Sequence, residues 1–308
     1  MSNKIVVVGS SNIDMVIKGD KIPRPGETVI GGDFFKAAGG KGANQAVAAA
    51  RAGGQVSFIS SVGNDIFGKE AISNYREDGI DSRAIKTDPE HATGTALILI
   101  DKDGENSISV APGANNSLSK TDLEKASAVI QGASVLLVQL EIPIETVEAA
   151  VQMANSFDVK VVLNPAPARH LSDQLLKQIS IITPNESEAE HLTGIPINNF
   201  EDAKKAARIL LKKGVETVLI TLGKKGTLLT THNTSELIPA FEVDTVDTTA
   251  AGDVFNGALA TAISEGMSLK EAIRFANAAA AISVTRLGAQ PSAPKREEIE
   301  NFLINHYQ

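Results

Sequence analysis

The segment 246–257 contains the residues best suited to chemistry. It reads Val-Asp-Thr-Thr-Ala-Ala-Gly-Asp-Val-Phe-Asn-Gly and leads into a stretch whose apolar residues recur at helical spacing. The small residues Ala250, Ala251 and Gly252 would let backbone N–H groups approach an anion at the helix N-terminus. Asp253, in the first turn, could accept a hydroxyl proton while those amides hold a phosphoryl group. The segment is therefore suited to phosphoryl transfer to an alcohol.

Asp253 also has a simpler interpretation, because an Asp at the start of a helix is a common capping residue. The dipole of the following helix should stabilise the ionised carboxylate, which would make it a weak base. A weak base suffices in phosphoryl transfer, since positioning and electrostatics supply most of the acceleration through a loose transition state.

A second glycine-containing segment, 38–47, reads Ala-Gly-Gly-Lys-Gly-Ala-Asn-Gln-Ala-Val and also opens a predicted helix. Its glycines permit a tight turn and a close ligand approach, while Lys41 adds charge and Asn44 adds a donor and an acceptor. The segment is not a Walker A loop, because Lys41 is followed by glycine, and its spacing does not match a dinucleotide fingerprint. The alternative is a glycine turn that packs a helix closely on a strand.

Polar residues follow two predicted strands at the point where each strand ends. Asn12 and Asp14 stand on alternate positions after the first strand, and Glu141 follows the strand at 135–139. Ligands of wound sheets bind beyond the carboxyl ends of the strands, and carboxylates and amides suit the paired hydroxyls of a polyol. The alternatives are an Asn/Asp turn for the first pair and a solvated loop carboxylate for Glu141.

Short apolar runs alternate with helix-length segments along the chain. The predicted strands cover 5–8, 56–60, 135–139, 160–163, 179–183 and 217–221. The predicted helices cover 42–51, 67–78, 120–131, 144–155, 202–213, 252–265, 269–285 and 295–305. This alternation predicts an α/β fold, a parallel wound sheet flanked by helices.

Two insertions, 14–37 and 94–112, break the alternation. The first contains several Pro and Gly residues, and the second reads as a hairpin that turns at Asp101-Lys102-Asp103-Gly104. Since hairpins are not expected in a parallel wound sheet, we expect the two insertions to form a small antiparallel sheet that projects from one α/β domain covering 1–308. The alternative is that both are decorative edge strands.

The composition excludes several classes of function. The chain of 308 residues has 29 Lys and Arg against 37 Asp and Glu, and a net charge of −8 argues against a general nucleic-acid or anionic-membrane binder. The absence of Cys excludes thiolate catalysis and Cys-ligated metals. The first apolar run is shorter than a signal peptide requires, and no run reaches the length of a membrane span, so we expect a soluble, cytoplasmic protein.

Taken together, the motifs identify a resemblance that covers essentially the whole chain. Gly-Gly-Lys-Gly-Ala-Asn at 39–44 and Asp-Thr-Thr-Ala-Ala-Gly-Asp at 247–253 resemble the two signatures of the ribokinase-like (PfkB) carbohydrate kinases. The segments at 9–14, 185–188, 221–226 and 288–292 are most similar to those of the family's ribose-phosphorylating members. The resemblance implies ATP-dependent phosphorylation of D-ribose at O5.

The resemblance also implies the roles of individual residues. Asp253 would be the base, with Ala250, Ala251 and Gly252 as the anion hole. The residues implied in sugar binding are Asn12, Asp14, Gly40, Lys41, Gly42, Asn44, Glu141 and Asp253 itself. The residues implied in ATP binding are Asn185, Thr221, Leu222, Gly223, Lys224, Lys225, Gly226, Gly252 and Asn277. The alternative for Lys224 and Lys225 is exposure to solvent, which their position in a turn also favours.

The family likeness further implies two metal ions and a dimer. Glu188 would help to hold Mg²⁺ through water. A monovalent cation, usually K⁺, would be held by Asp247, Thr249, Ser283, Arg286, Gly288 and Ser292, with Arg286 contributing only its carbonyl. The ordinary alternative for the two serines is a hydroxyl bonded within a helix or loop. The two insertions would form a lid over the sugar, and the lids of two subunits would clasp each other in a homodimer.

Two rival functions remain open at this stage. One is a kinase for another substrate of the same class, such as deoxyribose, fructose or adenosine. The other is a catalytically silent sensor that binds a sugar or nucleotide on the same fold, against which the intact Asp253 segment weighs.

Overall fold

Strands and helices alternate along the chain in the computed structural model, which describes residues 3–306. The strands are β1 (Lys4–Val8), β2 (Asn12–Lys18), β3 (Asp33–Gly39), β4 (Gln55–Gly63), β5 (Ile85–Asp88), β6 (Gly94–Ile100), β7 (Asn106–Ala111), β8 (Val135–Val138), β9 (Lys160–Leu163), β10 (Ile181–Ile182), β11 (Thr217–Thr221), β12 (Thr227–Thr230) and β13 (Ser235–Ile238). The α-helices are α1 (Lys41–Arg51), α2 (Ile66–Glu77), α3 (Lys120–Lys125), α4 (Ser127–Gln131), α5 (Ile144–Ser156), α6 (Asp173–Leu176), α7 (Glu186–Thr193), α8 (Phe200–Lys212), α9 (Ala251–Ser264), α10 (Leu269–Ser283) and α11 (Arg296–Asn305).

A nine-stranded sheet forms the centre of the protein, in the order β13-β12-β11-β10-β9-β8-β1-β4-β5. The strands from β11 to β5 in this order pair in parallel. The predicted class, a largely parallel α/β sheet flanked by helices, is therefore confirmed.

Alternate residues of the central strands enter two separate apolar cores. Val6 and Val8 of β1 belong to the core covered by α3, α5 and α8, whereas Ile5 and Val7 belong to the core covered by α1, α9 and α10. Successive side chains of a strand point to opposite faces, so a strand that is buried on both faces must be apolar throughout. This requirement explains the unbroken apolar runs in the sequence.

Several elements differ from the sequence-based expectation. β12 and β13 form an antiparallel hairpin at one edge of the main sheet, so the expectation that hairpins stay out of this sheet is wrong. The predicted helix at 120–131 is divided into α3 and α4 at Ala126. The sequence analysis also missed β5, α6 and α7, which are short and give little periodic signal.

A second sheet of four strands, in the order β3-β2-β6-β7, is built from the two insertions. Each insertion contributes an antiparallel pair, as expected, and the two pairs join through a parallel contact between β2 and β6. Large apolar side chains of this sheet face solvent, since Phe34, Leu97 and Ile108 are 64%, 55% and 57% exposed. The sheet thus has an apolar surface that the rest of residues 3–306 does not cover.

The connections at the carboxyl edge of the main sheet carry the residues singled out in the sequence. The chain leaves β1 at Gly9 and enters β2 at Asn12, and it leaves β3 at Gly39 and enters α1 at Lys41. α1 packs along α9, which brings segments some two hundred residues apart in sequence into contact. No helix among residues 3–306 combines the length and apolarity needed to cross a bilayer.

Candidate active site

Asp253 lies in the first turn of α9, and only 6% of its surface is exposed. The helix begins after Ala250, whose φ of 59° places it in the left-handed region. That conformation costs a non-glycine residue about 1–2 kcal/mol. No side chain caps the helix. The turn therefore presents a buried carboxylate next to uncapped backbone amides.

The amides of this first turn differ in their hydrogen bonding. The Ala251 N–H donates to the carbonyl of Thr248 at 3.2 Å, whereas the Gly252 and Asp253 N–H groups have no acceptor among residues 3–306. A Cβ added to Gly252 would meet no atom within 4 Å, so the space beside its Cα is open. Asn256 donates to the Gly252 carbonyl at 2.8 Å and steadies the peptide whose N–H belongs to Asp253. Free N–H groups at a helix start form a site for an anion.

Both oxygens of the Asp253 carboxylate accept hydrogen bonds from α1. Asn44 Nδ2 donates to Oδ2 at 3.0 Å, and Gln45 Nε2 donates to Oδ1 at 2.9 Å. Each oxygen retains a further acceptor position, because a carboxylate offers about four lone-pair sites. Asp253 is thus held in place and can still receive a proton.

The start of α1 depends on two glycines. Gly40 has a φ of 86°, and a Cβ there would lie 2.8 Å from the Asn12 nitrogen. A Cβ on Gly42 would lie 2.5 Å from both the Gly9 carbonyl carbon and the Ser10 nitrogen. Real Cβ atoms do not approach backbone this closely, so glycine is required for α1 to begin against the end of β1. The sequence left two interpretations of this segment, a close helix–strand contact and a turn that faces a ligand. The two are therefore compatible.

Glu141 follows β8, and its carboxylate lies beside the start of α1. Its Oε2 accepts from the Ser10 hydroxyl at 2.6 Å and from the Lys41 backbone N–H at 2.9 Å. The carboxylate therefore stabilises the N-terminus of α1, where the helix dipole favours negative charge. It is half-buried rather than a free loop carboxylate.

The side chain of Lys41 interacts with three carboxylates from different parts of the chain. Burial alone would lower the pKa of this lysine, but the charges of Asp253, Glu141 and Glu188 outweigh burial and raise the pKa. Lys41 therefore remains a cation at neutral pH. It links the carboxylate in α9 to those that follow β8 and begin α7.

The pKa of Asp253 is raised, chiefly by burial, although Lys41, Gln45 and Asn44 oppose the shift. Burial therefore acts against the helix dipole, which the sequence analysis expected to make this carboxylate a weak base. A higher pKa makes the carboxylate a better proton acceptor.

Asn12 and Asp14 lie at the root of β2 and face the same side of the second sheet, as their alternate positions predicted. Asn115 Nδ2 donates to Asn12 Oδ1 at 2.7 Å, which holds Asn12 in place. Burial, with a smaller contribution from the charge of Glu141, raises the pKa of Asp14 to about 6. Gly39 leaves room for this carboxylate, since a Cβ there would lie 2.5 Å from Asp14 Oδ1.

Asn185 and Glu188 form a reciprocal capping box at the start of α7. Asn185 Oδ1 accepts from the Glu188 N–H at 2.8 Å, and Glu188 Oε2 accepts from the Asn185 N–H at 2.9 Å. Glu188 is only 9% exposed. Burial raises the pKa of Glu188, and the charge of Asp253 adds to this shift. The hydrogen bond from the Asn185 backbone N–H and the charge of Lys41 oppose it. A buried carboxylate whose pKa is raised in this way fits a nearby cation.

The segment 221–226 connects β11 to β12 beside α7. Thr221 pairs with Asn185 through an isolated parallel bridge, so these two residues, both predicted to bind ATP, lie next to each other. Gly223, Lys224 and Lys225 are exposed, whereas Leu222 and Gly226 are buried. Asn277 of α10 is also buried, and both ends of its amide have partners within the protein, although its oxygen retains one acceptor position. It accepts from Thr227 Oγ1 at 2.9 Å and donates to the Pro239 carbonyl at 3.1 Å.

Part of the set predicted to bind a monovalent cation comes together in one loop cluster. Asp247 accepts from the Thr249 hydroxyl at 2.6 Å and from the Gly288 N–H at 2.9 Å. Burial would raise the Asp247 pKa, but these hydrogen bonds outweigh it and lower the pKa. The loop therefore carries an ionised carboxylate, a hard oxygen donor that suits such a cation.

The remaining members of that set have other partners. The hydroxyl groups of Ser283 and Ser292 donate to the carbonyls of Ala280 and Ala289 in their own turns. The Arg286 guanidinium, which pairs with Glu298, is itself a cation without an acceptor, so this residue could ligate a cation only through its carbonyl. Within residues 3–306 there is no group of three or more His, Cys, Asp or Glu side chains that could hold a metal ion.

Several residues at the site were not anticipated from the sequence. They are Ser10, Gln45, Asn115, Gln139, Asn164, Asn256 and Gln290. All are buried polar residues, and most follow a strand or occupy one turn of α1 or α9. The signal that could have found them is a polar residue inside an apolar run, as with Gln45 among the alanines of α1. A buried amide requires a partner, and here that partner is at the site.

Comparisons with known proteins agree with this geometry. Residues 2–296 match the family model described as pfkB family carbohydrate kinase. Over 303 residues the chain is 50% identical to the ribokinase of Haemophilus influenzae, which covers 98% of this chain and 99% of that protein. It is 36% identical over 300 residues to the deoxyribokinase of Salmonella typhi, which covers 97% of this chain and 98% of the relative.

A solved structure gives the same result for the fold. The structure of Arabidopsis thaliana ribokinase complexed with ribose and ATP superposes with a TM-score of 0.92 at 34% identity. The match covers 98% of this chain and 99% of that one. The family predicted from the two glycine-containing segments is confirmed, and the chain belongs to the pfkB family of carbohydrate kinases.

Proposed function

We propose that this protein transfers the γ-phosphoryl group of ATP to O5 of D-ribose, which gives D-ribose 5-phosphate and ADP. The observation that carries the proposal is the start of α9, where the buried Asp253 carboxylate lies beside the unpaired N–H groups of Gly252 and Asp253. The identity with ribokinases supports ribose as the substrate. The O5–H bond breaks, its proton passes to Asp253, and O5 forms the new bond to phosphorus as ADP leaves.

The same residues explain how the reaction would be accelerated. Asp253 would remove the proton of the attacking hydroxyl, and its raised pKa suits that role. The amides of the α9 start, predicted at Ala250, Ala251 and Gly252, would stabilise the charge on the transferred phosphoryl group. The Ala251 amide contributes less, because its N–H already has an acceptor.

The sugar would bind between the second sheet and the start of α1. Carboxylates of Asp14 and Glu141 would accept hydrogen bonds from its hydroxyl groups, while Asn12, Lys41 and Asn44 would donate to them. The Gly40 and Gly42 backbone allows the close approach. The Lys41 cation offsets the carboxylates of this region, which would otherwise repel the phosphates of ATP.

ATP would bind along α7, the segment 221–226 and α10, with Asn185 and Asn277 among its contacts. Mg²⁺, when bound, neutralises phosphate charge, and Glu188 would hold it through water, because Mg²⁺ retains much of its hydration. K⁺ would lie in the loop cluster of Asp247, Thr249 and Gly288, with carbonyl oxygens at 283, 286 and 292. An enzyme that consumes ATP in this way would work in the cytoplasm.

The sheet of β2, β3, β6 and β7 would act as a lid, and two lids would pair in a homodimer. Its exposed apolar residues, such as Phe34, Leu97 and Ile108, support this, because large exposed apolar patches mark interaction surfaces. Pairing would also cover the edge strands β3 and β7.

Sedimentation velocity, which measures the mass of the particle in solution, tests the homodimer. We expect the mass of two chains, and a strictly monomeric protein would contradict the dimer.

A coupled assay of ADP release over a panel of sugars tests the substrate. We expect the highest kcat/KM with ribose, and lower values with 2-deoxyribose, fructose and adenosine. A preference for 2-deoxyribose would instead align the chain with the deoxyribokinase relative. Reversible binding of sugar and ATP without ADP release would favour the silent sensor.

Replacing K⁺ with Na⁺ or Li⁺ in this assay tests the cation. We expect a lower rate in Li⁺, because the proposed oxygen donors are spread over three loop positions and suit a larger ion better. Choline chloride at equal ionic strength is the control. Equal rates in all four salts would remove the cation site from the proposal.

The substitution Asp253→Asn tests the base. We expect kcat to fall by about 10²–10⁴-fold, the usual contribution of a general base. Isothermal titration should still detect ATP, because Asn keeps the shape of the side chain and the proposed nucleotide contacts lie elsewhere. Turnover close to that of the unmodified protein would contradict the role of Asp253.

The pKa of about 6 for Asp14 predicts a pH-dependent affinity for ribose. Below this pH the carboxyl group is protonated in the free protein and loses acceptor capacity, so the Kd should rise as pH falls, approaching roughly tenfold per unit. Above pH 7 the Kd should be constant. Asp14→Asn should bind weakly at every pH, and the same steep rise in that variant would contradict the assignment.

A further inference from the structure

Gln45 is buried behind the proposed base, and all of its hydrogen-bonding groups are used. Its Nε2 donates to Asp253 Oδ1 at 2.9 Å and to Asn164 Oδ1 at 2.9 Å. Its Oε1 accepts from Gln139 Nε2 at 2.6 Å. Gln45 and Gln139 are fully inaccessible to solvent, so water cannot replace any of these bonds.

Only one orientation of the Gln45 amide satisfies these partners. If the amide were reversed, Oε1 would face the oxygens of Asp253 and Asn164, and Nε2 would face the Gln139 amide nitrogen. The O–O contact with the ionised Asp253 and the N–N contact with Gln139 would then both be repulsive. The donor end of Gln45 is therefore directed at the carboxylate by Gln139 and Asn164, which directly follow β8 and β9.

Gln139 shows that this orientation is retained at a cost. Its Oε1 is buried and has no hydrogen-bond partner among the described residues. The atom lies against Gly9, where any side chain would collide with it. A buried carbonyl without a partner is unfavourable, yet the arrangement keeps the N–H end of Gln139 toward Gln45.

We propose that Gln45 is a positioning residue that sets the orientation and the basicity of the Asp253 carboxylate, and that Gln139 and Asn164 fix Gln45 in this role. The inference rests on the phosphoryl transfer proposed above. Hydrogen bonds from a neutral amide favour the ionised carboxylate. Gln45 would thus limit how far burial raises the Asp253 pKa.

Apart from the neutral Asn44 amide, the other groups that act on Asp253 are charged. Lys41 of α1 favours its ionised form, whereas Glu141 after β8 and Glu188 of α7 disfavour it. Gln45 is neutral at every pH. Replacing Gln45 by another neutral residue therefore removes one hydrogen bond to the carboxylate without changing the charge of the site.

The substitution Gln45→Met tests the inference, because methionine has a similar volume and no donor. The acidic limb of the kcat profile against pH, measured at saturating sugar, reports the pKa of the base in the enzyme–substrate complex and leaves out the titration of Asp14 in the free protein. We expect this limb to move to higher pH by about one unit, since a hydrogen bond to a charged group has about that worth. Gln152→Met, on the exposed surface of α5, is the matched control and should leave the limb unchanged.

Two further variants keep the test decisive if Gln45→Met does not fold. Gln45→Glu keeps the shape and places a carboxyl group beside Asp253, so it should move the limb further in the same direction. Gln139→Met does not touch Asp253 and should move it by less.

The outcomes separate this inference from the proposed function. A wild-type protein that phosphorylates no sugar of the panel contradicts the function itself. An active wild type, together with a folded Gln45→Met or Gln45→Glu whose kcat falls while the acidic limb stays in place, shows a merely structural role and overturns the inference.

Discussion

Burial of the Asp253 carboxylate is the constraint around which the site is organised. An ionised carboxylate removed from water is costly unless charges and hydrogen bonds compensate it. Here Lys41, Asn44 and Gln45 do so, all from one turn and a half of α1. The compensation is incomplete, and the carboxylate therefore keeps a raised affinity for a proton. The same burial that threatens stability supplies the basicity that the proposed reaction needs.

The compensation requires α1 and α9 to start at the same place, and the backbone is shaped to allow it. Gly42 lets α1 begin directly against the end of β1, and Ala250 adopts a left-handed conformation so that α9 begins without a cap. Two helix N-termini then point toward one region. Their dipoles supply positive potential in a chain whose net charge is −8. An acidic protein can in this way accommodate a polyanionic substrate locally.

Patterns within short segments were sufficient to predict most of the fold. The unbroken apolar runs of β1, β8 and β11 could only be strands buried on both faces, and the helices that cover them carried clear periodicity. The hairpin of β12 and β13 was missed because its pairing at the edge of the sheet is decided by tertiary contacts. Very short elements, such as the four residues of α6, leave no periodic signal.

The candidate site was predictable in its motifs and less so in its electrostatics. Asp253, Lys41 and Asn44 follow from glycine turns that open helices. The sign of the Asp253 shift did not follow, because the helix dipole is visible in a sequence and the depth of burial is not. Gln139 and Asn164 were missed for a related reason, since a lone amide after a strand gives no indication of what it will face.

The position of Asn12 and Asp14 within β2 has a mechanical consequence. Both lie at the attached end of the strand, and Lys18 at its other end is roughly 20 Å away at the rise of an extended chain. Any rotation of the four-stranded sheet about its attachment would displace these two residues far less than residues at the far end of the sheet, because displacement grows with distance from the axis of rotation. If the sheet acts as the proposed lid, a wide opening for exchange would therefore displace the proposed sugar-binding residues only slightly.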